Sequence, residues 1–443
     1  MPSSLLADIR QLLRWSLLAL PVALVGGSAS AFFLWSLQKM TELQWANPWL
    51  LWWLPVGGIA VGLIYHYLGK GSDKGNNLLI DEIHQPGGGV PARMAPLVLI
   101  GTLVTHLFGG SAGREGTAVQ MGGSLAALLA RWFRVTPESK RIMLMCGIAA
   151  GFGAVFGTPL TGAIFAMEVL VIGRVQYDAL IPVLLASVVG DATCTAWGIH
   201  HTAYHLDVGG AAPESHAAFG ALLMIKVALA GIAFGLGGRL FSELTHGLQR
   251  GIARLVPFAP LRPALGAMVV IALVFFMGTR DYLGLGVDAP PGGQVSIVAS
   301  FHEGGATSRS WLWKTLYTSV TLASGFKGGE VTPLFFIGST MGHALGVLLN
   351  EPIALFAALG FVAVFAGAAN TPLACTVMGI ELFGAHYAAY FAVACFVAYY
   401  FSGHSGIYRA QRIGVPKNND HPIQEGTILR EVVGVDAAKK TIT

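Results

Sequence analysis

The chain has 443 residues, of which 54% are hydrophobic and 11% charged, with a formal net charge of +4 and a mean hydropathy of +0.63. This usage excludes a soluble globular protein of ordinary composition, and a small, scattered positive charge is no footprint for nucleic acid. Apolar stretches and short polar loops alternate from Ser16 to Phe401, and 58 glycines suit close helix packing in lipid, so the chain reads as an all-α polytopic membrane protein.

Residues 3–15 put Leu5, Ile9, Leu12 and Leu13 on one helical face with Arg10 and Arg14 elsewhere, which predicts an interfacial helix over 1–15 ahead of the first span. Segment 16–31 ends in Ser-Ala-Ser-Ala, as a cleavable signal does, but the apolar run continues through Phe32, Phe33 and Trp35. A retained span over 16–36 is therefore expected. The next span, 49–68, opens on Trp49, Trp52 and Trp53, which suit a membrane interface. The turn-rich stretch Gly69–Gly75 then leads into Asn76 and Asn77, which either cap a short helix or face an anion.

The stretch Gly109-Gly-Ser-Ala-Gly-Arg-Glu-Gly-Thr-Ala-Val-Gln-Met-Gly-Gly123 places a carboxylate, Glu115, between two apolar segments, 95–108 and 117–131. Each is short of the roughly 20 residues of a full crossing, so broken helices meeting at membrane depth are expected. The helix starting near Thr117 would aim free N–H groups at the break, a ready-made anion site. Glu115 can fill that site when ionised and leave it when protonated. An ionisable residue at this depth is a functional candidate by default.

The loop Arg131–Arg141 carries four basic residues, and Gly157-Thr-Pro-Leu160 makes a further break between 142–156 and 159–172. Cys146, Cys194, Cys375 and Cys395 lie in apolar segments without CxxC spacing, so buried free thiols are expected and neither a metal site nor a disulfide frame. There is no HExxH, GxSxG or P-loop pattern, so no enzyme and no cofactor is expected.

An internal repeat organises the chain. Gly69, Gly71 and Asp73 recur as Gly284, Gly286 and Asp288, Glu115 and Thr117 as Glu330 and Thr332, and Gly123-Ser124 as Gly338-Ser339, each 215 residues apart. Thr158-Pro-Leu160 with Glu168 recurs as Thr371-Pro-Leu373 with Glu381, 213 apart. The expected units are a repeat over 16–210, a second over 217–410 and a short cytoplasmic tail over 411–443. Loop 37–48 has only Lys39 where its counterpart 250–262 has Arg250, Arg254 and Arg262, whereas the four basic residues of 131–141 face none in 346–354, which has Glu351. Equivalent loops thus exchange their positive bias, so the repeats are expected to be inverted, with the solute near the midplane where matched breaks meet.

These residues resemble the CLC family of anion channels and proton-coupled antiporters over nearly the whole chain. Gly113-Arg-Glu-Gly-Thr117 is similar to its gating-glutamate motif, Gly328-Gly-Glu-Val-Thr-Pro333 to its third filter motif, and Gly157-Thr-Pro-Leu160 and Asn370-Thr-Pro-Leu373 to the paired breaks downstream. The resemblance implies a homodimer with one anion pathway per subunit and helix N-termini aimed at the ion. The family's first filter motif, Gly-Ser-Gly-Ile-Pro, falls by spacing on Gly75-Asn-Asn-Leu-Leu79, so Asn76 replaces the serine. The inner proton-transferring glutamate of the chloride/proton exchangers falls on Val169. A substituted serine, a Gly-Arg-Glu-Gly-Thr ending and no inner glutamate resemble the fluoride-exporting branch. The function implied is fluoride/proton antiport across the inner membrane with both termini cytoplasmic; a chloride/proton antiporter or a passive anion channel is the alternative.

The resemblance implies Glu115 as gate and proton carrier, and an anion path lined by Asn76, Asn77, Gly113, Arg114, Gly116, Thr117, Gly329, Glu330, Val331, Thr332 and Tyr408. Tyr399 or Tyr400 could stand in for Tyr408, whose hydroxyl would point at the ion. Glu330 should repel anions unless protonated or paired with Lys327 or Arg114, and an ion pair is expected. Glu168 and Glu381, as repeat mates, are expected in structural hydrogen bonds, and His106 as a hydrogen-bonded core residue. The partners implied are fluoride or chloride, protons and the lipid bilayer.

Overall fold

The computed structural model describes residues 2–204, 206, 220–418 and 423–432, with the backbone alone for 2–8. The expected join between the repeats, over 210–217, and the end of the tail lie outside them. Helices α1 (Pro2–Ala46), α2 (Leu54–Leu68), α3 (Asn76–His84), α4 (Met94–Leu107), α5 (Glu115–Trp132), α6 (Pro137–Phe156), α7 (Pro159–Glu168) and α8 (Leu180–Ala196) make up the first part. Helices α9 (Ala221–Leu255), α10 (Arg262–Met277), α11 (Ser310–Ala323), α12 (Val331–Leu349), α13 (Ile353–Ala369), α14 (Pro372–Phe383) and α15 (Ala388–Phe401) make up the second. The strand content among the described residues is one parallel pair, β1 (Val171–Ile172) with β2 (Arg412–Ile413).

Long apolar helices such as α6, at 20 residues, and α9, at 35, can cross a membrane, while α4, α7 and α14 are shorter, as the broken pattern predicts. The interfacial helix expected over 1–15 is not a separate element. Helix α1 runs unbroken through it and past residue 36 to Ala46, because Leu12, Leu13 and Trp15 lead directly into the apolar run with no breaker between them.

Lipid tails are as apolar as leucine, so helices associate in a membrane by close backbone approach rather than by hiding apolar surface. Glycines supply that approach in both halves. A Cβ on Gly122 would lie 2.2 Å from Gly147 O, where α5 crosses α6, and a Cβ on Gly338 would lie 2.0 Å from Gly360 O, where α12 crosses α13. The repeat in sequence is thus a repeat of helix crossings.

Helices α7 and α14 both begin with Thr-Pro, the proline at a position where its missing N–H costs nothing. Each receives its missing cap from the far end of the other. Glu168 accepts from Leu373 N at 3.0 Å and Ala374 N at 2.8 Å, and Glu381 accepts from Leu160 N at 2.9 Å and Thr161 N at 2.8 Å. This reciprocity requires the two helices to run antiparallel and gives Glu168 and Glu381 the structural hydrogen bonds expected of them.

Contacts sort the loops onto two faces. Arg14 donates to Ser139 at 2.9 Å, Lys140 pairs with Glu82 at 2.5 Å and Arg430 with Asp81 at 3.2 Å, so the start of α1, the Arg131–Arg141 loop and the tail share one face. The other end of α1, at Gln38, Glu42 and Trp45, meets Arg280 and Leu283–Asp288 around a cavity of about 570 Å³.

Replacing Glu168 by alanine leaves the N–H groups of Leu373 and Ala374 without an acceptor, a loss of roughly 1–3 kcal/mol per buried donor. The expected outcome is a clearly lowered thermal midpoint for the purified protein in detergent, with Glu168→Gln falling between the two.

Candidate functional site

The two breaks that carry Glu115 and Glu330 meet in the middle of the fold. Gly113 N donates to Gly329 O at 2.6 Å and Gly329 N to Gly113 O at 2.8 Å, a short antiparallel bridge between the halves. Only glycine fits here: a Cβ on Gly113 would lie 2.8 Å from Pro333 Cδ, and one on Gly329 would lie 2.7 Å from Gly116 N. The bridge sets the N-termini of α5 and α12 side by side.

Helix α5 starts at Glu115 itself, two residues before the expected Thr117, with Arg114 as its N-cap residue. Glu115 is fully buried and does not cap its own helix. Its carboxylate crosses to the other half, where Oε2 accepts from Thr332 N at 3.0 Å and Oε1 from Thr332 Oγ1 at 2.5 Å. Oε2 also accepts from Arg114 N at 3.2 Å, and Arg114 Nε stands 3.5 Å from Oε1. A carboxylate therefore fills the anion site at the start of α12, where backbone donors and the helix dipole favour negative charge.

Asn76, Gly116 and Glu330 converge beside this contact, since a Cβ on Gly116 would lie 3.2 Å from Asn76 Nδ2 and 3.8 Å from Glu330 Oε2. Helix α3 takes Gly75, at φ +58°, as its N-cap residue, so neither asparagine caps it. Asn76 Oδ1 is buried without a hydrogen-bond partner among the described residues. Rotation of the amide by half a turn puts Nδ2 there, so this side chain can offer a donor to an ion. Tyr408 is buried edge-on to Phe165, with Glu330 and Glu115 within electrostatic reach. It is the tyrosine brought to the site: Tyr399 lies beneath Lys417, at 4.0 Å from ring centroid to Nζ, and Tyr400 is exposed.

Several expected ligands are engaged elsewhere. Asn77 Oδ1 accepts from Ala410 N at 2.9 Å, tying α3 to the segment that carries Tyr408. Thr117 Oγ1 shares a hydrogen bond with Thr102 Oγ1 at 2.7 Å. The ion pair expected of Glu330 is not formed among the described residues: Lys327 lies 4.0 Å over the Tyr65 ring, and Arg114 is turned to Glu115. His106 bonds to Thr102 O at 2.9 Å and Ala112 O at 3.0 Å, the core position expected of it. Among the described residues no His, Cys, Asp and Glu group could hold a metal.

Two features were not legible in the sequence. Arg114 lines the 570 Å³ cavity together with His106, His200, His201, Arg280 and Asp288, and so stands between that cavity and Glu115. On the opposite face the polar tail is stitched into the fold: Gln411 Nε2 donates to Val169 O and Ala369 O at 2.9 Å, and Asn370 Nδ2 donates to Gln411 Oε1 at 3.0 Å. Lys417 Nζ, from the tail, donates to Tyr399 O at 2.6 Å and Ser402 Oγ at 2.8 Å. Burial pushes this ammonium well below the ordinary lysine range.

A family profile described as voltage gated chloride channel matches residues 57–403. A chloride/fluoride channel protein of Pseudomonas syringae pv. tomato is 51% identical over 425 residues, 95% of this chain and 90% of that protein. A putative chloride channel protein ClcB-like of Ralstonia nicotianae is 27% identical over 359 residues, 75% of this chain and 78% of that one. The crystal structure of a CLC-type fluoride/proton antiporter superimposes with a TM-score of 0.84 at 35% identity, covering 91% of this chain and 98% of that one. A slow cyanobacterial Cl−/H+ antiporter shares the fold, with a TM-score of 0.72 at 22% identity over 88% of this chain and 94% of that one.

Gly329→Ala should force the bridge apart, since its Cβ would meet Gly116 N at 2.7 Å. Overpacking of this kind costs roughly 1–3 kcal/mol, and a lowered thermal midpoint in detergent is the expected reading.

Proposed function

The chain belongs to the voltage-gated chloride channel family, matched over residues 57–403, and from that premise we propose that it exports fluoride from the cell in exchange for protons. The observation that carries this reading is the Glu115 carboxylate held by Thr332 N and Thr332 Oγ1 at the start of α12. A carboxylate seated among donors at a helix N-terminus occupies a place that a small anion can take. Hydrogen bonds to a charged group contribute roughly 1.5–3 kcal/mol each, so Glu115 leaves only when something else satisfies those donors. An anion arriving there displaces the carboxylate, and a carboxylate deprived of its donors binds a proton more readily. Anion and proton thus move in opposite directions through one exchangeable set of hydrogen bonds.

Fluoride is small and strongly hydrated, so its site must replace lost water with close donors. Thr332 N, Thr332 Oγ1, the N–H of Val331 and the Asn76 amide form that donor set, with Gly113, Gly116 and Gly329 letting the backbone approach and the Tyr408 hydroxyl closing the inner side. Glu330, without an ion-pair partner among the described residues, must be neutral for an anion to pass it. The fluoride/proton antiporter structure at 35% identity favours fluoride as the cargo, and the chloride/fluoride channel protein at 51% identity carries both anions in its name. The active form is a homodimer with a complete path in each copy, in the inner membrane. The face carrying the start of α1, Arg131, Arg134, Lys140, Arg141 and the tail is cytoplasmic, in line with its positive charge.

The test is anion efflux from proteoliposomes loaded with fluoride or chloride, with external pH recorded and the potential clamped near zero. Fluoride efflux with uphill proton entry, and slower chloride efflux, is the expected result. Replacing Glu115 by glutamine should abolish proton entry. Fast chloride efflux would assign the chloride branch, and fluoride efflux without proton movement would make the protein a channel.

A further inference from the structure

The 570 Å³ cavity above Arg114 contains a group that the proposed exchange does not use. His201, in the segment following α8, lies against Gly157 at the break between α6 and α7: a Cβ on Gly157 would meet His201 Cδ2 at 2.5 Å and Nε2 at 3.2 Å. Across from it, on α8, stands Asp191, with 3.7 Å between His201 Nε2 and Asp191 Oδ1. Both atoms are buried, and among the described residues neither has a hydrogen-bond partner. Two facing polar atoms left unsatisfied in this way each carry a desolvation cost. A neutral imidazole nitrogen and a carboxylate oxygen are both acceptors, and a single proton between them satisfies both.

The surroundings decide where that proton rests. Burial first, and then the Arg114 guanidinium, push the His201 imidazole down to about 4, with His200 a further opposing neighbour. The ring therefore stays neutral. From α14 the Glu381 carboxylate lies within electrostatic reach of Asp191, so two acids and one imidazole share this corner of the fold. At 3.7 Å the pair stands just beyond hydrogen-bond distance, and one proton on the Asp191 carboxyl would give it a donor aimed at the neutral His201 Nε2. His201 lines the cavity together with Arg114, whose Nε stands 3.5 Å from Glu115 Oε1, so the pair is placed along the approach to the buried carboxylate.

We propose that Asp191 and His201 form a proton-loading site on the external side of Glu115, taking protons from water in the cavity and holding them until the Glu115 carboxylate is released from α12. The step is a proton transfer from hydronium, which reaches the pair on the His201 side that lines the cavity and leaves water behind, to the Asp191 carboxylate, and then from that carboxyl to Glu115, with no other bond made or broken. The inference rests on the antiport reading. It makes Asp191 and His201 determinants of the rate of proton supply rather than of anion binding.

The experiment is the external pH dependence of fluoride efflux and proton entry in proteoliposomes, for wild type, Asp191→Asn, His201→Gln and the double variant. The expected result is a several-fold slower exchange for each variant at neutral and alkaline external pH, with the wild-type rate regained about two pH units lower and the fluoride KM unchanged. The double variant should be no slower than either single one, and Asp191→Glu, which keeps an acid, should keep the wild-type profile. That variant also guards against misfolding of the asparagine form. A wild-type pH profile in both single variants, or an equal loss of rate at every pH, overturns the proton-loading site while leaving antiport intact. Wild-type fluoride efflux without proton entry overturns the antiport reading and this site together.

Discussion

Everything at the centre of this fold turns on one unsatisfied helix end. The first N–H groups of α12 have no partner within their own helix, and at membrane depth there is no bulk water to serve them. They need a negative group. The chain supplies one from the opposite half, through Glu115 to Thr332, and the bridge between Gly113 and Gly329 holds the two helix ends close enough for the carboxylate to reach. In the proposed exchange, the contact that stabilises the resting fold is also the one an anion must break. Structure and function here compete for the same hydrogen bonds.

The pseudo-symmetry makes this plain. At α7 and α14 the repeat is honoured: Glu168 caps one helix and Glu381 the other, and both carboxylates are committed. At α5 and α12 it is broken. Glu115 caps α12, but its repeat mate Glu330 does not return the favour to α5, where Thr117 is held instead by Thr102. A symmetric pair of caps would lock the break closed. Among the described residues the broken symmetry leaves one cap, one unpaired acid and an amide oxygen of Asn76 without a partner, an asymmetry that the proposed ion path would use.

The sequence made the spans, the breaks and the repeat legible because hydropathy, glycine and proline act locally and because equal spacings of 215 residues leave a register to follow. It placed Glu115 at a helix N-terminus but assigned it to the wrong one. Local spacing speaks only of α5, and the contact with Thr332 spans 217 residues. For the same reason Asn77 and Thr117 looked like ligands: residue type and position were right, but the rotation of each side chain about its helix sends it to Ala410 and Thr102. The Glu330 ion pair failed because Lys327 had a second use on the Tyr65 ring. The sequence marks 411–443 only as a short tail, and nothing local in it foretells that Gln411 and Lys417 are bound into the helix ends.

That tail gives the Val169 position a meaning beyond the loss of a carboxylate. The side chain there is apolar, yet its backbone carbonyl accepts from Gln411, which also reaches Ala369 O and accepts from Asn370 at the start of the second break. Two residues on, β1 begins and pairs with β2 from the tail. The ends of α7 and α13 are therefore gathered onto one short segment, and Tyr408 lies at its head, fixed from the other side by Asn77 through Ala410. Lys417 completes the clasp, its Nζ directed at neutral oxygens of Tyr399, Ser402 and Asn370, an arrangement tolerable only because each N–H finds an acceptor. A glutamate at position 169 would bring a charge into a junction already built from carbonyls and amides. The apolar residue adds no carboxylate to the junction, and Tyr408 is positioned through the backbone and amide hydrogen bonds around it and its edge-on contact with Phe165.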